Sequence, residues 1–479
     1  MPALRRLSIA VALFLAACNQ REPVAPAPAA PRRAQPPVAV AQPASTTTAA
    51  AVPAANPCPK RPNILILVLD TVRADATELD ARSRNHTPAL RELATHGVNF
   101  TRAYSTWDST PPSHFSILTG YVNGHQTEID QPEASLAWQL RRLGYRSFGL
   151  VANGNLSAKF MRSVMPFGNY TNLQEQWEAM PAEKKAPYLP AIDGLIEHYD
   201  SQPNDWYRMF VYSSADEILS RFDAKLQGKR PFLGFINLID SHDPYFPKPE
   251  RYDLAKDGPK LEGVRYRTLP PELADPESIA DPERKAKIKA LIAKAQGRAW
   301  SVSEGLTKEQ LRIYRKRYDA EVRDTDAAVG RIVEMLKKRQ LLDDTILVIT
   351  ADHGESFGEG GLLTHSFNNS GDREATNRVN LLIVFPPCYG FRPARIDRSC
   401  TIADIAPTLY DLLGVDTTAL EDKAPPGNFG RSLLPLLGRE SAPSQTAATA
   451  PSKGSVPEAE RKKQDEEALK RFRSLGYLQ

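Results

Sequence analysis

The chain has 479 residues, 41% hydrophobic and 25% charged, values of a folded globular protein with one large domain or two to three ordinary ones. Its 61 Lys and Arg nearly balance 57 Asp and Glu, and the formal charge of +4 without a basic block excludes the electrostatic footprint of a nucleic-acid-binding protein. The four cysteines include no Cys-x-x-Cys pair, which argues against a thiolate metal site.

The N-terminus reads as an export signal. Arg5-Arg6 precede an apolar stretch, Ile9 to Ala17, too short to cross a bilayer as a mature helix. It ends Leu15-Ala16-Ala17-Cys18, which resembles the lipobox of bacterial lipoproteins. That resemblance implies cleavage before Cys18, a lipid anchor on Cys18, and a place on the periplasmic side of the bacterial cell envelope. Asn19 is not the Asp associated with inner-membrane retention, which favours the outer membrane. The alternative is an ordinary signal peptide with an incidental cysteine. Residues 1–18 are therefore the signal, and 19–60 a Pro/Ala-rich tether. An exported chain meets an oxidising compartment. Cys388 and Cys400 bracket a short loop suited to a local disulfide, whereas a pairing with Cys58 leaves another cysteine odd. Spacing does not choose between these.

The folded body is expected over 61–438. Asn63 to Leu69 is an apolar run closed by Asp70, a buried strand. Thr87 and Pro88 open a helix that Gly97 ends, and Val98-Asn99-Phe100 resumes as a strand. Thr110-Pro111-Pro112-Ser113-His114 is a turn before a short helix, Phe115 to Leu118. A helix over Leu136 to Leu143 leads to a strand over Tyr145 to Val151. Residues 155–205 have weak periodicity and read as an insertion. Ala215 to Leu226 is helical, Pro231 to Ile239 a buried strand, and 250–305 a polar surface excursion. Thr307 and Gln310 have capping-box spacing before a long helix that leads to the strand Thr345 to Ala351, closed by Asp352-His353-Gly354. Val379 to Phe385 is a strand and Ile402 to Leu413 a helix, followed by a linker (439–457) and a charged helix (458–479). Strands alternating with helices imply a large α/β fold with a parallel-rich sheet.

Open α/β sheets hold their chemistry at the carboxyl ends of strands. Two strand-end carboxylates, Asp70 and Asp352, with the imidazole of His353, form a candidate site for one divalent metal. Thr110, just before a short helix, is the candidate nucleophile and a further metal contact. His242 and His365 follow predicted core strands and complete the candidate catalytic set. Asp240 and Asp243 would be needed for a second metal, but their spacing to His242 does not favour one.

Taken in order, Arg61-Pro62-Asn63 to Asp75, Thr87-Pro88 to Phe100, Thr110 to Gly120, Asp240 to Pro247, Tyr318 to Asp326 and Thr350 to Gly361 resemble the sulfatase family of the alkaline phosphatase superfamily. The resemblance runs from about Pro62 to Gly414. It implies a mixed central sheet flanked by helices, with a smaller C-terminal subdomain. It also implies an ester hydrolase using a divalent metal on a small-molecule, glycan or lipid ester.

The chain departs from that family's pattern where the chemistry lies. Formylglycine-dependent sulfatases carry Cys or Ser at the position of Thr110 and Arg at the position of His114, leaving His114 and Asn153 as candidate substrate contacts. The usual Asp-Asp is Asp70-Thr71 here, and the usual Asp-Asn is Asp352-His353. A sulfated threonine cannot collapse as a sulfated hemiacetal does, whereas a phosphorylated threonine can be hydrolysed by in-line attack at phosphorus. An imidazole in the site suits Mn²⁺ or Zn²⁺ better than Ca²⁺, which a true sulfatase would hold. The expectation is a phosphate or phosphonate ester hydrolase or transferase. The alternatives are a sulfatase of sulfated glycans and a lipid-anchored binding protein without turnover.

Overall fold

The computed structural model describes residues 58–122, 132–159, 161–164, 166–199, 202–259, 269–366, 371–424 and 427–438. The expected signal, the tether up to residue 57, the 439–457 linker and the 458–479 helix lie outside the described residues.

One mixed sheet organises the chain. Its strands are β1 (Asn63–Leu69), β2 (Val98–Tyr104), β3 (Arg146–Val151), β4 (Asn169–Asn172), β5 (Phe232–Leu238) and β6 (Thr345–Thr350). A two-stranded ribbon, β7 (Ser356–Phe357) and β8 (Leu363–Thr364), follows, and then β9 (Arg378–Val384) and β10 (Ala394–Thr401). The order across the main sheet is β10-β2-β9-β6-β1-β5-β3-β4. All pairings are parallel except those of β9, which runs antiparallel to β2 and β6. β1 occupies the middle because both of its faces are apolar: Ile64 to Leu69 are at most 1% exposed. Burying six such side chains contributes on the order of 10 kcal/mol, enough to fix a strand end that carries a desolvated carboxylate.

The long helix Lys308–Lys338 packs one face of the sheet through Tyr318, Val322, Thr325, Val329, Ile332 and Leu336, and its N-terminus has the expected Thr307–Gln310 capping box. The stretch 155–205, weakly periodic in sequence, contains β4 and the helices Leu173–Ala179 and Leu189–His198. The 250–305 excursion has its own small apolar cluster of Leu273, Ile279, Ile288, Ala295, Val302 and Leu362. The C-terminal part, expected as a smaller subdomain, adds the edge strand β10 and the helix Ile405–Leu413 to the main sheet and to the helix Thr110–Thr119. Cys58 is bonded to Cys388, and Cys400 is free and buried, so the local Cys388–Cys400 bridge does not form. The reason is topological: Cys388 lies in the turn after β9, whereas Cys400 is carried inward on β10.

Candidate active site

Strands β6, β1, β5 and β3 are neighbours, all parallel, so their carboxyl ends meet on one edge of the sheet. Those ends deliver Asp352-His353, Asp70-Thr71, Ser241-His242 and Asn153 respectively. Sheet order thus gathers residues that are up to 283 positions apart in the chain, from Asp70 to His353.

The backbone of Asp70 still belongs to the sheet, its N–H donating to the Leu238 carbonyl at 2.9 Å. Its side chain is fully buried, and Oδ2 accepts from the amides of Asn153 and Asn237, each at 3.0 Å. Asp352 Oδ1 accepts the N–H groups of Thr71 at 3.1 Å and His353 at 2.9 Å. This requires Thr71 at φ +60°, a left-handed backbone that costs a β-branched residue about 1–2 kcal/mol. Two bonds hold it there: Thr71 Oγ1 donates to the Ser241 carbonyl at 2.7 Å, and the Tyr318 hydroxyl donates to the Thr71 carbonyl at 3.0 Å.

His353 Nδ1 lies 3.0 Å from the Gly354 carbonyl. A carbonyl only accepts, so Nδ1 carries the proton and Nε2 presents a lone pair to the two carboxylates. Glycine is needed at 354, where a Cβ would lie 2.0 Å from the Ala375 carbonyl oxygen.

Thr110 is the first residue of the helix Thr110–Thr119, not a residue before it, because Pro111 and Pro112 fit a first turn whose N–H groups need no partner. Its Oγ1 is 3.3 Å from His353 Nε2 and 3.3 Å from Asn153 Nδ2. Asn153 therefore spends its amide on Asp70 and Thr110, and its Oδ1 accepts from the Asn155 N–H at 3.0 Å. These bonds place Asn153, expected as a substrate contact, between Asp70 and the candidate nucleophile Thr110. One turn along, His114 Nδ1 donates to the Thr110 carbonyl at 2.9 Å. Burial pushes the His114 imidazole down to about 3, so the ring is neutral at physiological pH, with Nε2 left unbonded at the site.

Burial also raises both carboxyls to about 7, helped at Asp70 by the charge of Asp352. Asp70 Oδ1 and Asp352 Oδ2 are buried without a hydrogen-bond partner. His353 Nε2 and His114 Nδ1 approach Asp352 Oδ2 at 3.3 and 3.4 Å, but the proton of each ring is already committed elsewhere. Donor atoms of Asp70, Asp352 and His353 lie within 4.8 Å of one another. Two orphaned anionic oxygens and an unprotonated nitrogen at that spacing fit one divalent cation.

His242 and His365 lie at the same centre. The His365 ring is 4.4 Å from that of His353 and 4.9 Å from that of His242. His242 Nδ1 donates to the Asp243 carbonyl at 2.5 Å. His365 Nδ1 lies 2.9 Å from Glu355 Oε1, and Glu355 Oε2 accepts from the Tyr245 hydroxyl at 2.9 Å. The two further carboxylates weighed for a second metal are turned to other work. Asp240 accepts from the Ala215 N–H at the start of a helix, and Asp243 bonds the Tyr314 hydroxyl. Sequence reasoning missed Asn237, Ser241 and Glu355. The signal for Asn237 was present: one amide inside the apolar run Phe235-Ile236-Asn237-Leu238.

An α/β sheet whose parallel strand ends gather carboxylates, imidazoles and a helix-start hydroxyl is the working edge of a metal-assisted ester hydrolase. The chain belongs to the sulfatase family, whose profile, described as Sulfatase, matches residues 62–415. It is 24% identical over 408 residues to a choline-sulfatase of Rhizobium meliloti (strain 1021), covering 79% of this chain and 72% of that one. It is 33% identical over 399 residues to arylsulfatase K of Gallus gallus, covering 79% and 66%. Among solved structures, the phosphonate monoester hydrolase of Agrobacterium radiobacter superposes with a TM-score of 0.53 at 21% identity, over 80% of this chain and 79% of that one. That likeness concerns the fold. The proteins it is similar to include sulfatases and, in fold, a phosphonate monoester hydrolase, and enzymes of the sulfatase family use a divalent metal.

Proposed function

We propose that the chain is a metal-dependent hydrolase of phosphate or phosphonate esters in which Thr110 is the nucleophile. The observation that carries this reading is Thr110 itself, buried at a helix start with Oγ1 3.3 Å from His353 Nε2 and backed by Asn153. A divalent cation held by Asp70, Asp352, His353 and Thr110, with Mn²⁺ or Zn²⁺ favoured by the imidazole, would lower the pKa of the threonine hydroxyl and neutralise the carboxylate pair.

Thr110 Oγ, having given its proton to solvent, attacks phosphorus in line as the alkoxide while the bond to the leaving oxygen breaks. His365, oriented by Glu355, gives that oxygen its proton and is left neutral, and His242 faces the non-bridging oxygens. Water, or an acceptor alcohol in a transferase, then attacks the phosphothreonine and gives its proton to the neutral His365, and Thr110 leaves as the alkoxide that begins the next cycle. His114 supports phosphorus over formylglycine chemistry, since a neutral imidazole stands where the resembled sulfatases carry a cation. The Cys58–Cys388 disulfide supports export, and with it a lipid anchor at Cys18 on the periplasmic side of the envelope.

The test is a matched assay of an aryl sulfate, a phosphate monoester, a phosphate diester and a phosphonate monoester, with metal analysis, on wild type and Thr110→Ala. Phosphorus turnover that disappears in Thr110→Ala is expected. Sulfate turnover far above all phosphorus esters would replace this reading with that of a true sulfatase, and intact-mass analysis of the mature N-terminus tests the anchor.

A further inference from the structure

The excursion between β5 and the long helix reaches back to the backbone of His365 through Arg298. Arg298 is 8% exposed, and its guanidinium donates to two consecutive backbone carbonyls, those of His365 at 3.0 Å and of Ser366. It also donates from Nε to the Ala295 carbonyl at 3.1 Å, within its own turn. The bonds to His365 and Ser366 both leave one terminal nitrogen, Nη2, which holds the two carbonyls to a single charged donor while Nε anchors the guanidinium in its own turn.

The segment it grips is strained. Thr364 and Ser366, on either side of His365, have φ of +68° and +70°, left-handed values that side chains other than glycine resist. Such a conformation persists only where surrounding contacts over-determine it. Those contacts come from two sides. From the excursion, Val302 bridges Leu362, the Ser303 N–H donates to the Gly361 carbonyl at 2.9 Å, and Ser301 Oγ lies 3.3 Å from Thr364 Oγ1. From the nucleophile side, the Ser366 N–H donates to the Asp108 carbonyl at 2.7 Å, two residues before Thr110. Leu362, in the gripped loop, belongs to the excursion's own apolar cluster rather than to the main core.

We propose that Arg298 is a positioning residue, and that the 269–306 excursion is an arm that sets the backbone of His365 while Glu355 sets its ring. This rests on the reading of His365 as the group that protonates the leaving oxygen. Without the guanidinium, the strained loop relaxes toward ordinary φ values and carries the imidazole off the leaving group. Misplacement of about 1 Å in such a contact costs about 10²-fold in rate.

The test is a double-mutant cycle of Arg298→Met and His365→Gln in the full-length, metal-loaded protein, with kcat and KM on an activated phosphonate monoester, metal content and thermal midpoint. His365→Gln is expected to lower kcat about 10²-fold. Arg298→Met is expected to lower kcat by about 10–100-fold, with KM within about threefold and metal content unchanged. In the His365→Gln background, Arg298→Met should have almost no further effect, since it acts through a group already removed. Arg298→Lys, which keeps the charge and one donor, should recover part of the rate, and it carries the same cycle if the Met variant does not fold. A costly His365→Gln with a neutral Arg298→Met, or with an Arg298 effect equally large in both backgrounds, overturns the positioning role alone. A neutral His365→Gln overturns the underlying reading of His365 and the positioning role with it.

Discussion

Replacing Asp70 by Asn should stabilise the metal-free protein while removing its activity. In the metal-free fold the Asp70 carboxyl titrates near 7, raised from 3.8 first by burial and then by the charge of Asp352. The folded state therefore binds this proton more tightly than the unfolded state does. Its contribution to stability is complete below about pH 3.8 and is lost as pH rises through 7. The gap between 3.8 and about 7 corresponds to about 4 kcal/mol by pH 8. An Asn side chain has the same shape, can still accept from Asn153 and Asn237, and carries no charge at any pH. The metal-free Asp70→Asn variant should match wild type at pH 4 and exceed it by about 2–4 kcal/mol at pH 8, the lower figure allowing for relaxation around a buried pair. Urea unfolding of chelator-treated protein across this range reads the difference. Saturating Mn²⁺ or Zn²⁺ should reverse the order, because wild type gains the free energy of binding and the variant loses one of its ligands. An Asp70→Asn variant less stable than wild type at pH 8 without metal, or a difference independent of pH, would show that Asp70 is not a desolvated ligand waiting for a cation.

Other expectations are simpler to read. Thr110→Ala should abolish turnover with metal content retained, whereas Thr110→Ser, which keeps the hydroxyl, should keep measurable activity; wild-type protein quenched during turnover should carry added mass on the Thr110 peptide. Gly354→Ala should destabilise by about 3 kcal/mol or more, because its Cβ meets the Ala375 backbone at 2.0 Å and backbone cannot step aside, as thermal unfolding will show. Cys58→Ser with Cys388→Ser should cost about 2–5 kcal/mol, since the bridge closes a loop of 330 residues, and peptide mapping should find Cys400 alkylated only after unfolding.

What the sequence disclosed followed from strong local signals. Apolar runs that stop at an acid located β1 and β6, and the alternation of strand and helix located the class of fold. Thr87-Pro88 and the Thr307–Gln310 box marked helix starts that the structure retains. The residues that were hidden act across long separations. Asn237 is a strand residue whose partner is a carboxylate 167 positions away. Arg298 lies in a polar excursion and grips the site through backbone carbonyls, and contacts to backbone leave no residue-type signal in the sequence. Cys58 pairs across 330 residues, where the nearer Cys388–Cys400 spacing looked sufficient. Asn153 was legible as a candidate site residue, but its bonds were not, because they depend on Asp70 Oδ2 and Thr110 Oγ1 lying on either side of one amide.

On the proposed reading, the charge of the site bears on which phosphorus ester it would take. Asp70 and Asp352 would be balanced by one divalent cation, and a protonated His365 would be balanced by Glu355. His353 and His114 are neutral, their rings held down by burial. Asp108 is buried close enough to His353 to bear on its titration. In the sulfatases that the chain resembles, an arginine one turn from the nucleophile would add a permanent positive charge, and His114 removes it. The loaded site is thus close to neutral, and at low dielectric a second substrate charge without a partner is costly. Singly charged esters, phosphate diesters and phosphonate monoesters, should exceed the doubly charged phosphate monoester in kcat/KM by about 10-fold or more, each unmatched ~1.4 kcal/mol being worth tenfold. His114→Arg should narrow that gap by favouring the dianion. A wild-type preference for the phosphate monoester would mean that the site holds a second cation, which this reading excludes.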